Sequence, residues 1–278
     1  MTIEKVVDNV YAITDGSTRG NVAAIVLPSQ IIFIDSGMNI PIIKDFRKKL
    51  EKDTGKKAST LIITHQHSDH IFGNQVFEDC KIITSKKTYD QMLESNKTQW
   101  TPENLTQWKQ NAEDPKSLEG LKIVLAKEFF EETFEIVDGD EKILVKETGG
   151  HTNGSSYVFH PKNKVIISGD NLFNKSFPWG GTDTSDPYVW INALEEYLNL
   201  DVDNFIPGHG PISGKDLVKE FLAYMQKIIG LMEDLVSKGV CEEKILQQAN
   251  DIEYYAPRRE QWKALTLKKW YDIVKSKE

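Results

Sequence analysis

The chain has little cysteine: two residues in 278, Cys80 and Cys241. Two thiols so far apart imply no disulfide framework and read as idle or buried groups in a reducing compartment. It also lacks a long apolar run, and no stretch approaches the roughly 18 residues that cross a bilayer. The opening segment carries Glu4, Lys5 and Asp8 and has no apolar core, so it does not read as an export signal, and the cytoplasm is the expected location. Positive charge is short as well. Lys+Arg 34 against Asp+Glu 42 leaves a net charge of −8, which disfavours a nucleic-acid partner because phosphate recognition wants a basic face. A small-molecule substrate is the expectation, with no membrane partner; the oligomeric state stays open, a dimer included. Internal repeats, low-complexity segments and a G-x-S-x-G nucleophile elbow are all missing.

What is present is an ordinary globular mix, 39% hydrophobic and 27% charged, long enough for one large domain or two small ones. Residues 3–7, 10–14, 21–27 and 30–34 are short β-rich runs separated by turn residues. A helix follows with Pro41 in its first turn and Ile42, Ile43, Phe46 and Leu50 at helical spacing; its basic run, Lys44 to Lys57, reads as a solvated face. Strands are expected at 60–65 and 81–85, a polar helical stretch with Trp100 and Trp108 at 86–120, and two hairpins at 132–148 and 155–168. A helix at 187–199 and a strand at 203–206 come next, and from 214 onward the chain reads as helical. Strands interleaved with helices in two β-rich halves suggest two packed sheets with helices outside, although the pattern alone also fits an ordinary α/β sheet.

The histidines carry the chemistry. Of six, three lie in the run His65-Gln66-His67-Ser68-Asp69-His70, at the end of the strand TLIITH. In a loop, His65 and His67 can converge on one ion while Asp69 and His70 reach a second position. Imidazole suits Zn, Fe and Ni, and a carboxylate adds a hard, charge-neutralising oxygen. His151 in GGHTNGS, Asp170 in ISGDNLF and His209 in PGHGP stand at three further strand ends, each beside glycine. Convergent ligands on a rigid sheet are what a metal site requires. His160, before Pro161, has no such setting and reads as an ordinary strand-end residue.

With these motifs in order, and with Asp35 closing the strand IIFID, the sequence resembles the metallo-β-lactamase superfamily over about residues 1–212. The resemblance implies an α/β (α+β) fold, a four-layer αββα sandwich with C-terminal helices, and metals at one edge between the sheets. It implies a domain over 1–213, with a helical insertion at about 86–127, and a helical extension at 214–278 packed on it. It places His65, His67 and His151 on a first metal, Asp69, His70 and His209 on a second, and Asp170 on both. Asp35 is implied as a support for the loop beneath the ligands. The implied cofactors are two divalent ions, zinc first, with Fe or Mn as alternatives.

Two such ions can share a hydroxide as nucleophile, and Asp69 can accept its hydrogen bond and orient it as the catalytic carboxylate. Asp170 stands where exported zinc β-lactamases often carry cysteine, which favours a branch resembling glyoxalase II and the lactonases. The expected reaction is hydrolysis of a small ester, thioester or lactone. The alternatives are a mononuclear-iron persulfide dioxygenase, using His65, His151 and Asp170, and a phosphodiesterase acting on nucleic acid. Phe173, Phe177 and Trp179 are candidate walls of an apolar substrate pocket. Tyr255 and Arg258, in a cluster with Tyr254 and Arg259, are candidates for an acidic substrate tail.

Overall fold

The computed structural model describes residues 1–278. Its first sheet has seven strands in sequence order: β1 (Glu4–Val7), β2 (Val10–Ile13), β3 (Val22–Val26), β4 (Ile31–Ile34), β5 (Ala58–Ile62), β6 (Lys81–Ser85) and β7 (Glu128–Phe130). The first four run antiparallel; β4 through β7 are parallel, with helical crossovers between them. The second sheet holds β8 (Thr133–Asp138), β9 (Glu141–Glu147), β10 (Ser156–His160), β11 (Val165–Phe173) and β12 (Asn204–His209), in the order β12-β11-β10-β9-β8.

The two sheets bury a shared layer. Ala23, Ile25, Ile32 and Ile62 of the first meet Val145, Val158, Ile167 and Ile206 of the second, all at most 4% exposed. Each outer face is covered by helices. On the first sheet lie α1 (Ile40–Thr54), the short α2 (Ser68–Ile71), α3 (Lys86–Thr98) and α4 (Pro102–Asn111). On the second lie α5 (Pro187–Asn199), α6 (Lys215–Ser237), α7 (Glu242–Asn250) and α8 (Glu260–Lys275). This is the four-layer αββα sandwich that the sequence implies.

Local chemistry explains the boundaries. The Asn39 side chain accepts from the Ile42 N–H, Pro41 fills the first turn, and Gly55 ends α1 at φ 70°. Ile40, Ile43, Phe46 and Leu50 face the sheet while most of the lysines face water. Arg47 is the exception: its guanidinium spans both Asp79 oxygens at 2.6 Å each.

Several boundaries differ from the sequence reading, and β7 has no counterpart in it. The strand expected at 60–65 ends at Ile62, so His65 stands in the following loop. β11 runs on through Asp170 to Phe173, because β12 beside it continues to His209 and the pair holds through two register shifts. The polar stretch after Ser85 is two helices, and α4 buries none of its residues.

Candidate metal centre

Four ends of secondary structure deliver the seven predicted donors to one place. The loop after β5 and the N-terminus of α2 bring His65, His67, Asp69 and His70. The β9–β10 connection brings His151, and β11 and β12 bring Asp170 and His209. Ligand atoms of His65, His67, His151 and Asp170 lie within 4.8 Å of one another, and so do those of Asp69, His70 and His209; either group could hold a metal ion. His67 Nδ1 is 3.1 Å from His65 Nε2 and 2.9 Å from His151 Nε2. Asp170 touches both groups. Its Oδ1 is 3.0 Å from His70 Nε2, and its Oδ2 is 3.4 Å from His151 Nε2 and 3.3 Å from His209 Nε2.

The outer nitrogens of four rings lie against oxygen acceptors, and that of His209 also lies 2.8 Å from the Arg258 guanidinium. His151 Nδ1 is 2.7 Å from the Trp179 carbonyl, His70 Nδ1 is 2.8 Å from Asp35 Oδ2, and His209 Nδ1 is 3.1 Å from the Arg19 carbonyl. His65 Nδ1 lies 3.1 Å from Thr64 Oγ1, whose own hydroxyl donates to Asp35 at 2.8 Å. Where each Nδ1–H is given to these oxygens, Nε2 is the ring nitrogen left facing inward. Asp35 thus supports two rings and also accepts from the Thr64 N–H at 2.8 Å, from a left-handed backbone at φ 57°.

The protonation preferences fit a cation. Burial pushes His65 well down and His151 down to about 3, leaving neutral imidazoles with free lone pairs. Burial also opposes charge on Asp170 and His70, but neighbours win. His209, His70 and His65 hold the Asp170 carboxyl well below the carboxylate range, while Asp170 and Asp35 raise His70 well above the usual imidazole value. His70 Nε2 and Asp170 Oδ1 are buried, close, and not aligned as a hydrogen bond with any group. A field that holds a proton there also suits a metal ion.

Backbone packing fixes the spacing. The Asn21 side chain donates to the carbonyls of Pro207 at 2.8 Å and Gly210 at 2.7 Å, pinning the end of β12 to the first sheet. A Cβ on Gly208 would stand 1.9 Å from Asp170 Oδ1, so only glycine allows the two strand ends to approach. Asn171 Oδ1 accepts from the His151 N–H at 3.0 Å and steadies that loop. Asn21, Thr64 and Asn171 carry no sequence signal of this role: Asn21 and Asn171 act on backbone groups of distant elements, and Thr64 through its hydroxyl between His65 and Asp35.

The donors open into a cavity of about 680 Å³. Phe173, Phe177, Trp179 and Arg258 line it, as the sequence suggests, and Phe173 and Phe177 also belong to the core beneath. Tyr255 does not line it; its ring packs on Tyr254 with centroids 5.0 Å apart. The walls that sequence reasoning missed are Arg19, Met38 and Trp262. His160 lies elsewhere, buried with its Nε2 2.8 Å from Glu141.

Comparison with known proteins agrees with this architecture. Residues 16–209 match the family model described as the metallo-beta-lactamase superfamily, and the chain belongs to that superfamily. It is 21% identical to the linear primary-alkylsulfatase of a Pseudomonas species over 80% of this chain and 48% of that one. It is 26% identical to the 2,4-dinitroanisole O-demethylase subunit alpha of a Nocardioides species, over 75% of this chain and 57% of that one. A type 2 metallo-beta-lactamase of Elizabethkingia meningoseptica is 27% identical over 60% of each chain. The chain therefore spans about half the length of the curated relatives it matches. Among solved structures, the sec-alkylsulfatase Pisa1 from Pseudomonas sp. superposes with a TM-score of 0.70 at 15% identity, covering 99% of this chain and 50% of that one. The metallo-beta-lactamase from Pontibacter korlensis gives 0.63 at 15% identity, over 81% and 98%. No helix is long and apolar enough to cross a membrane.

Proposed function

We propose that this chain is a metal-dependent hydrolase of a small ester, thioester or lactone, working at two divalent ions, zinc first among them. The observation that carries it is the inward-facing donor set, with His70 Nε2 and Asp170 Oδ1 buried and otherwise unpartnered. In this reading His65, His67 and His151 hold one ion, Asp69, His70 and His209 the other, and Asp170 spans both. Ions bound there supply a water of lowered pKa and a positive field on the substrate oxygen. The protein's part is to hold the donors rigid, exclude bulk water from the buried side, and present the part-exposed Asp69 carboxylate to the attacking water. Residues 1–213 are proposed as the catalytic domain, with the insertion at about 86–127 and the extension at 214–278 walling the substrate side. A second reading, hydrolysis of an alkyl sulfate ester, draws on the match to the alkylsulfatase over 80% of this chain.

Metal analysis of protein purified without added metal, followed by a panel of carboxylic esters, thioesters, lactones and sulfate esters, tests both. About two ions per chain and chelator-sensitive turnover of one class are expected. A single iron with oxygen uptake on a persulfide would replace hydrolysis by dioxygenation. Asp35→Asn should keep the fold but weaken metal binding about 10–100-fold, because it loses the acceptor that orients His70. Competition against a chromophoric chelator measures this, and wild-type affinity in the variant would remove Asp35 from that role.

A further inference from the structure

The chain has only four arginines, Arg19, Arg47, Arg258 and Arg259, among its 34 basic residues. Arg47 makes the two-oxygen pair with Asp79. The other three all line the mouth of the metal-site cavity, and not one lysine lines it. A second lobe of about 470 Å³ shares the same three arginines, with Met38 and Trp262. Arg47 apart, lysine serves everywhere else on this acidic surface, so the choice of guanidinium at the mouth calls for its distinctive property: a planar fork that matches an oxyanion.

These guanidinium groups are not used up inside the protein. The nearest carboxylate oxygen to Arg258 is Asp69 Oδ2 at 3.9 Å. Its other contacts are the Arg19 carbonyl at 3.4 Å and His209 Nδ1 at 2.8 Å. His209 Nδ1 can accept that Arg258 N–H only in the tautomer protonated on Nε2; in the tautomer that leaves Nε2 free for a metal, its proton goes to the Arg19 carbonyl and the Arg258 N–H is left over. Arg259 has no ion pair and lies over the Trp262 ring, 5.4 Å from its centroid. Arg19 is the partly satisfied member, paired with the exposed Glu113 at 3.1 Å. Glu94 and Asp183 also line the cavity, while Asp69 and Asp170 are assigned to the ions. Beside the arginines stand apolar surfaces: Trp179 and Trp262, with centroids 5.4 Å apart, and Trp108, which is 41% exposed.

We propose that the site takes an anionic amphiphile, whose carboxylate, sulfate or sulfonate-like oxyanion is held by Arg258 and Arg259 and whose apolar body lies against Trp108, Trp179 and Trp262. Arg258 and Arg259 are then specificity-determining residues, contributed by the segment that enters α8 and far in sequence from the metal donors. Calling the anion part of a substrate rests on the hydrolase reading; the binding itself does not.

The test uses the metal-loaded full chain and its tryptophan fluorescence. Titration with 1-octanesulfonate, octanoate and 1-octanol compares three eight-carbon bodies that differ in headgroup. At least one anion should bind about tenfold or more tighter than the alcohol, as charge-assisted hydrogen bonds require. Tight binding of the sulfonate alone points to a sulfate-ester headgroup, of octanoate alone to a carboxylate, and of both to oxyanions in general. In Arg258→Gln, Arg259→Gln and the double variant, the anion-to-alcohol affinity ratio should fall by about tenfold. Lys227→Gln, an exposed charge of α6 outside the cavity, controls for net charge and should leave the ratio alone. Octanol binding as tightly as both anions, or a ratio unmoved in the double variant, overturns the proposal. Arginine-dependent anion binding in a protein that turns over no ester would instead retire the hydrolase reading and leave the anion site standing.

Discussion

Replacing Asp170 by alanine is expected to lower kcat/KM by more than about 10²-fold and to reduce bound metal by at least one ion per chain. Groups that merely orient a ligand cost about 10–100-fold when removed. Asp170 does more, since its two oxygens approach His70 on one side and His151 and His209 on the other. Two cations held side by side repel unless a carboxylate stands between them. His160→Ala provides the contrast. His160 is as buried as the site histidines, but it pairs with Glu141 at 2.8 Å and touches none of the donors. Its loss should appear as destabilisation of about 1–3 kcal/mol, with the metal content intact. Metal analysis and melting curves on both variants separate the two effects; equal loss of activity in the two folded variants would contradict the bridging role.

Truncation after Gly214 should leave a chain that does not stay folded. The segment beyond it is not an appendage. α6 buries ten residues, from Leu217 to Val236, against α5 and the outer face of the second sheet. Each fully buried apolar side chain contributes about 1.5–3 kcal/mol, and without that helix the apolar faces of α5 and the second sheet that it covers would stand in water. α8 adds Trp270, fully buried and set edge-on against Trp190 of α5 at 6.3 Å. The same cut deletes Arg258, Arg259 and Trp262 from the cavity wall. Expression as aggregate, or loss of a cooperative melting transition, is the expected result. A soluble truncated protein with the full-length melting temperature and KM would show that the helices neither support the core nor wall the site.

The candidate donors were legible in local sequence because all but Asp170, which lies within β11, stand at or just beyond the end of a backbone element. His65, His67, Asp69 and His70 stand together in six residues, and His151, Asp170 and His209 each carry flanking glycine that close strand packing demands. Periodicity likewise showed that α5 has one apolar face and spans 187–199, and that the segment from 215 to 235 must bury a stripe of Leu, Ile, Met and Phe. It could not say against what. The second sheet and α5 supply that partner only once the two halves of the chain fold onto one another.

Orientation and the mouth of the cavity were decided by tertiary structure alone. Which ring nitrogen faces inward depends on the acceptors behind it, namely Asp35, Thr64 and the carbonyls of Trp179 and Arg19, and these come from four separate stretches of chain. Tyr255 and Arg258 are three residues apart, yet only Arg258 reaches the cavity, because the Tyr255 ring is drawn onto Tyr254 instead. Residues 19, 108, 179, 258 and 262 meet around one opening, with Arg258 reaching the Arg19 carbonyl across 239 residues of sequence. Local sequence fixes what a residue can do chemically and which face of its element is apolar. Where side chains from distant elements converge is set by burial of those faces against each other, a property of the whole packed chain.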